Sequence, residues 1–191
     1  MNIIDIKCQD SVNSSLNCCH LELPKDPLRL GSHNQIYLFI NLPVFINSRQ
    51  IDEARLVLYK SPPFGEGDCN AESEENKYYL FPLTDYFSIY SCMFSMPAID
   101  RGRRVVFNND NCKSYTEIDV TDIVKAWLDL SLENKGLLLA GSKNAQCVFY
   151  ESNRCDITGM HPTLRLICSG IGPFPTPALN CADCNVTINR P

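Results

Sequence analysis

The chain has 191 residues, an ordinary size for one domain. Lys and Arg number 17 against 22 Asp and Glu, a net charge of −5 that supplies no basic face for nucleic acid. Hydrophobic residues at 45% and charged residues at 20% indicate a globular chain rather than a disordered one.

Residues 1–27 have weak periodicity, a Ser/Asn-rich patch and three cysteines, and read as an N-terminal arm. From Leu28 the texture is that of strands. Gln35 to Leu42 is rich in β-branched and aromatic residues and reads as a mostly buried strand. The nearly apolar run from Ile36 to Ile46 is broken by Asn41 and Pro43. It falls short of the ~20 residues that span a bilayer, so membrane insertion is not expected. Asp52 to Lys60 alternates, with Ala54, Leu56 and Leu58 on one face and Arg55, Val57 and Tyr59 on the other. Residues 61–76 combine Pro, Gly and acidic residues and predict a solvated loop.

Strand character resumes at Lys77 to Leu83, where Pro82 marks an edge or a strand end. Tyr90 to Met96, Arg103 to Phe107 and Tyr115 to Val120 are further candidates. One helix is expected over about 121–130. Thr121 is its expected N-cap, Asp122 suits its positive start, and Ile123, Val124, Trp127 and Leu128 form an apolar face. Gly136 to Ala140, Gln146 to Glu151 and Pro162 to Cys168 close the body as strands. Gly170, Gly172, Pro173, Pro175 and Pro177 then indicate an extended linker, followed by strand-like alternation from Asn185. Many short strands, turn signals and a single helix predict an all-β sandwich. The expected layout is an arm at 1–27, a body at 28–168 and a tail at 169–191.

Eleven cysteines are an odd number, so complete intrachain pairing leaves at least one thiol over. The N-terminus has no basic segment followed by an apolar stretch of roughly 7–15 residues, so no signal peptide is recognised. Persistent disulfides need an oxidising compartment, which puts the expected location outside the cell or on a cell or spore surface, the alternative being a reduced cytosolic protein with many free thiols. Cys8, Cys18, Cys19, Cys181 and Cys184 lie outside the expected body and are candidates for intermolecular cross-links. Adjacent Cys18 and Cys19 strain a mutual disulfide, which suits bonds to two different partners, within the chain or beyond it. Cys69, Cys92, Cys112, Cys147, Cys155 and Cys168 fall in the body. Cys181-x-x-Cys184 reads as a disulfide site rather than half of a zinc site, and no metal or cofactor is expected.

Asp119-Val-Thr-Asp-Ile-Val-Lys-Ala-Trp-Leu128 followed by Asn134-Lys-Gly-Leu-Leu-Leu139 resembles the DNRLRE domain and the related propeptide domain of TGF-β precursors. Ile51 to Tyr59, and Phe149 to Ser152 with His161 to Leu166, match further strands of that pattern, so the resemblance covers about 28–168. It implies a jelly-roll sandwich with one packed helix. Members are surface modules, some of them carbohydrate-binding, and none is an enzyme through this domain. The Cys18-Cys19 pair on an N-terminal arm also resembles the subunits of disulfide-linked endospore appendages.

The first expectation is therefore a structural subunit of an extracellular or spore-surface assembly, a filament or a layer. It would pair with copies of itself through its arms and have surface proteins or glycans as further partners. The alternative is a carbohydrate-binding surface module using Tyr78, Tyr79, Tyr86, Phe87 and Tyr90. His20, His33 and His161 stand in no catalytic motif, and no nucleophile is singled out, so no enzymatic activity is expected.

Overall fold

The computed structural model describes residues 2–15, 18–22, 27–62, 76–87, 96–110, 112–169 and 186–189, with backbone alone at 18–22 and 186–189. The strands are β1 (Asn2–Lys7), β2 (Asp10–Ser15), β3 (Cys18–Glu22), β4 (Leu28–Leu30), β5 (Asn34–Phe39), β6 (Ile51–Tyr59) and β7 (Lys77–Pro82). After them come β8 (Val105–Asn108), β9 (Tyr115–Asp119), β10 (Leu137–Gly141), β11 (Val148–Tyr150), β12 (Thr163–Cys168) and β13 (Val186–Asn189). The one α-helix among the described residues is α1, Thr121–Leu128.

Two antiparallel sheets face each other. One runs β13-β1-β12-β6-β9 and the other β3-β2-β5-β10-β7-β8, while β4 and β11 form a small separate pair. Eight of these strands make a jelly roll. The chain visits β1, β5, β6, β7, β8, β9, β10 and β12 so that β1-β12-β6-β9 lies opposite β5-β10-β7-β8. The remaining strands extend this core at its edges. The β2/β3 hairpin adds beyond β5, and β13 adds beyond β1.

The protein is thus an all-β sandwich with one short helix. Ile4, Ile6, Ile36, Leu38, Ala54, Leu56, Leu58, Leu80, Leu137, Leu139, Leu164 and Leu166 fill the space between the sheets. Their period-two spacing along each strand sends one face inward, as Ala54, Leu56 and Leu58 of β6 illustrate.

The N-terminal segment departs from the expected arm. Residues 2–7 are the first strand of the jelly roll, in register with β12 from Asn2 opposite Cys168 to Lys7 opposite Thr163. Ile4 and Ile6 alternate into the core with 0% and 4% exposure. The body therefore begins at residue 2 rather than 28. Strand β2 carries almost no apolar signal, because Ser11 and Asn13 are buried by hydrogen bonding instead. Ser11 Oγ donates to Asn153 Oδ1 at 2.6 Å, and Asn13 Oδ1 accepts from the Arg29 N–H at 2.6 Å.

The helix begins at Thr121, with Val120 in the cap position and no side-chain cap. The Thr121 hydroxyl is used elsewhere, accepting from the Ala54 N–H of β6 at 2.9 Å and donating to Asp119 Oδ1 at 2.6 Å. Asp119 also accepts the first helical N–H at 2.9 Å. These bonds from Thr121 hold the Asp119 carboxyl below its ordinary pKa. The Asp-Val-Thr-Asp run therefore pins the helix to β6, while Ile123, Val124 and Trp127 enter the core. The expected strand over 90–96, the loop at 61–76 and the linker after 169 lie largely outside the described residues.

Candidate functional site

The outer face of the six-stranded sheet is not a plain solvated surface. Val12 of β2, Tyr37 of β5 and Leu138 of β10 form a second apolar cluster there, together with Leu83. Residues on either side of 88–95 lie against this face. Leu83 and Ile99 form an isolated bridge, Thr84 N–H donates to Ala98 O at 2.9 Å, and Asp100 N–H donates to Pro82 O at 3.0 Å. Phe87 is the wedge, its ring centroid 4.5 Å from Tyr37 and 5.5 Å from Phe39.

Two open grooves lie on this face, the larger one beside Phe87. The larger, about 770 Å³, is lined by residues that include Gln9, Asp10, Phe39, Tyr86, Lys135 and Arg154. Its polar wall is tied together, with Arg154 Nη2 3.3 Å from Asp10 Oδ1 and Asn153 Nδ2 donating to Gln9 O at 2.9 Å. The second groove, about 620 Å³, is lined in part by Gln35, Tyr79, Phe81, Arg101 and Arg104.

The aromatic residues singled out in the sequence divide between the two faces. Tyr78 is inside, 1% exposed, stacked on Phe107 with 5.6 Å between centroids and donating its hydroxyl to Gln146 O at 2.9 Å. Burial pushes its phenol up to about 12. It cannot touch a ligand, because alternation along β7 sends it opposite to Tyr79. Tyr79 faces the second groove beneath the Arg104 guanidinium, 5.3 Å from its ring centroid.

Tyr86 is 65% exposed at the larger groove. Its hydroxyl donates to Glu133, Lys135 Nζ lies 4.5 Å from its ring centroid, and Lys135 pairs with Glu133 at 3.0 Å. Phe87 is committed to packing, and Tyr90 lies outside the described residues. Gln9, Asp10, Asn153 and Arg154 were not singled out in the sequence. They meet only because the β1–β2 turn lies beside residues 153–154, a pairing across more than 140 positions with no local signature.

The cysteines also separate. Cys8 is 5% exposed, and its thiol donates to the carbonyls of Asp10 at 2.9 Å and Phe39 at 3.1 Å. Burial pushes it up to about 12. A cross-link there requires β1 to open, so its position sets Cys8 apart from the other cross-link candidates. Cys168 is likewise a buried free thiol at the end of β12.

Cys147 is free and exposed, and Cys155 is free and half-buried, its thiol donating to Ile157 O at 3.2 Å. Burial raises both above the ordinary thiol value, so neither is an activated thiolate. Cys112 is disulfide-bonded, and its partner is not among the described side chains. Cys18 and Cys19 stand at the start of β3, an edge strand of the six-stranded sheet among the described residues. Cys69, Cys92, Cys181 and Cys184 lie outside the described residues.

Among the described residues no three His, Cys, Asp or Glu side chains gather as a metal would require. No described helix is long and apolar enough to cross a membrane. His161 Nε2 lies 2.9 Å from the Cys155 carbonyl oxygen, a structural contact within its own loop. Comparison with protein-family models finds no match for the chain, and comparison with curated proteins finds none either.

Proposed function

We propose that this protein is a non-catalytic structural subunit that associates with copies of itself and is cross-linked by intermolecular disulfides, in a filament or layer outside the cell or on a spore surface. The observation that carries this reading is the placement of Cys18 and Cys19 on β3. An outermost strand has one row of N–H and C=O groups unpaired within its sheet, a template for a strand of another chain. Two adjacent cysteines on such a strand can covalently fix what the backbone pairing brings together. The disulfide at Cys112 supports an oxidising setting. The resemblance to DNRLRE-type surface modules and to disulfide-linked appendage subunits points the same way. Cys181 and Cys184 are further cross-linking candidates in this reading.

Denaturing electrophoresis of oxidised protein, with thiols blocked beforehand, tests the reading. A ladder that collapses to one 21.6 kDa band on reduction is expected, and it shortens when Cys18→Ser and Cys19→Ser are combined. A monomer band in both lanes overturns it.

A second reading is favoured by the larger groove, where an exposed tyrosine and an ammonium of the lining sit beside the Glu133 carboxylate. Tyr86, Glu133 and Lys135 supply an aromatic surface and polar partners of the kind that hold a glycan. In that reading Tyr86→Ala removes binding on a glycan panel while leaving the fold intact.

A further inference from the structure

Strand β13 completes the five-stranded sheet from an unusual direction. It pairs antiparallel with β1, from Ile3 opposite Asn189 to Ile6 opposite Val186, and β1 separates it from β12, the strand that precedes it in the chain. Strand β13 is therefore parallel to β12 and two strand spacings away. Strand β12 ends beside Asn2, where Cys168 is in register, and β13 starts beside Ile6. At ~3.3 Å per residue and ~4.8 Å per strand, that displacement is about 16 Å. Residues 169–185 lie between the two strands. Such a stretch reaches on the order of 50 Å when extended. That reach is about three times the separation, so the length of the connection does not confine β13 to its own β1.

The acceptor strand stands without it. On its other side β1 is bonded to β12 through six register pairs, against four with β13. Ile4 and Ile6 are anchored in the core, and Arg165 of β12 donates two hydrogen bonds to Asp5. Removing β13 thus leaves β1 in place, presenting a free backbone edge in a defined register.

We propose that β13 is an exchangeable strand that, in the assembled protein, completes β1 of a neighbouring copy. This rests on the assembly reading above. The backbone pairing is the same whether β13 comes from its own chain or from another. Only the loop-closure term differs, and for a connection of this length it corresponds to an effective concentration in the ~mM range. Dilute chains close on themselves. Copies held side by side reach comparable local concentrations and trade strands, the cheapest route from a closed monomer to a linked one.

Isotope mixing tests this on the full chain. Reduced unlabelled and nitrogen-15-labelled copies, each with Thr187 replaced by a diazirine-bearing residue, are mixed at high concentration, oxidised and irradiated. Asp5 is in register with Thr187, so cross-links from position 187 into β1 report the pairing. Exchange predicts mixed-isotope β13–β1 cross-links in the proportion random pairing gives. Covalent oligomers with same-isotope β13–β1 cross-links alone overturn exchange and leave assembly standing. Cross-links into β1 of neither kind overturn the pairing itself. Light scattering that finds only monomers overturns both exchange and assembly.

Discussion

Arg165 grips Asp5 across the sheet with two hydrogen bonds, Nε to Oδ1 at 2.8 Å and Nη2 to Oδ2 at 3.0 Å. The two residues are in direct register on β12 and β1. The same row continues through Arg55 of β6 to Asp119 of β9, so negative ends flank two positive centres. Two arginines opposite one another would repel. Arg55 is instead held by Glu53 at 2.6 Å and Glu117 at 3.4 Å, which raise its pKa further.

A double-mutant cycle measures what this pair contributes. The Arg165 side chain is 35% exposed, so solvent screens the interaction. Asp5→Ala and Arg165→Ala should show a coupling of about 0.5–1 kcal/mol in denaturant unfolding at low salt, falling toward zero at 1 M salt. Additive single effects at low salt would refute the coupling. Arg165→Lys should recover only part of it, because an ammonium cannot make the forked contact.

Two glycines are required by close approach, and a third is not. Gly136 has φ +103°, and a Cβ there would lie 2.8 Å from Phe39 Cδ1 and 2.9 Å from Leu38 O. At Gly141 a Cβ would lie 2.6 Å from the Gly31 carbonyl carbon and 2.7 Å from Ala145 Cβ. Gly136→Ala and Gly141→Ala should each cost about 1–3 kcal/mol. At Gly159 a Cβ meets nothing within 4 Å, so Gly159→Ala should stay within about 0.5 kcal/mol. Equal effects at all three sites in thermal unfolding would contradict this account.

Trp127 is the single tryptophan, 4% exposed, and its indole N–H has no hydrogen-bond partner among the described residues. The ring therefore contributes through packing. Trp127→Phe removes the unpaired donor and should cost under about 1.5 kcal/mol, whereas Trp127→Ala opens a cavity and should cost about 3–5 kcal/mol. A large loss for Trp127→Phe would reveal a partner for the N–H. Emission from this one ring should move to longer wavelength on unfolding.

Burial of Cys8 carries a pH signature. Its thiol ionises near the ordinary value of 9.0 in the unfolded chain and at about 12 in the fold. The folded state thus keeps a proton that the unfolded state has lost. This contribution is complete below pH 9 and is lost progressively as the pH rises toward 12, at about 1.4 kcal/mol per unit. Cys8→Ala should flatten that alkaline decline. In native protein at pH 8, alkylation should mark Cys147 well before Cys8 or Cys168, as peptide mapping can read out. Equal labelling of all three would mean that β1 opens readily.

Strands with one apolar face were legible residue by residue. Strand β6 was expected from Asp52 to Lys60 and runs Ile51–Tyr59, and β12 matches as closely, because inward and outward residues alternate, while β10 matches through an apolar run buried on both faces. Strand β1 and the residue after it carry the same alternation at Ile4, Ile6 and Cys8, but the stretch is short and adjoins a polar segment, so by its sequence the whole reads as an arm. Strand β2 was not readable, because Ser11 and Asn13 are buried by partners more than a dozen positions away.

The candidate site was legible only in part. Sequence picked out Tyr79 and Tyr86 but set Tyr78 beside them, although it points into the core. The polar wall of the larger groove comes from residues more than 140 positions apart.

By itself, the sequence determined the class of this protein, an all-β sandwich with one helix, since hydrophobic period and turn residues are local properties of the chain. It also determined the odd cysteine count and the net negative charge. Only the tertiary structure decided that the terminal segments extend the two sheets, that Cys8 is sealed in the core, and which tyrosines face outward. Those outcomes depend on which strands become neighbours. Strand pairing is a long-range choice made by backbone hydrogen bonds, which every residue can form (proline only as acceptor), so side-chain pattern alone does not encode it.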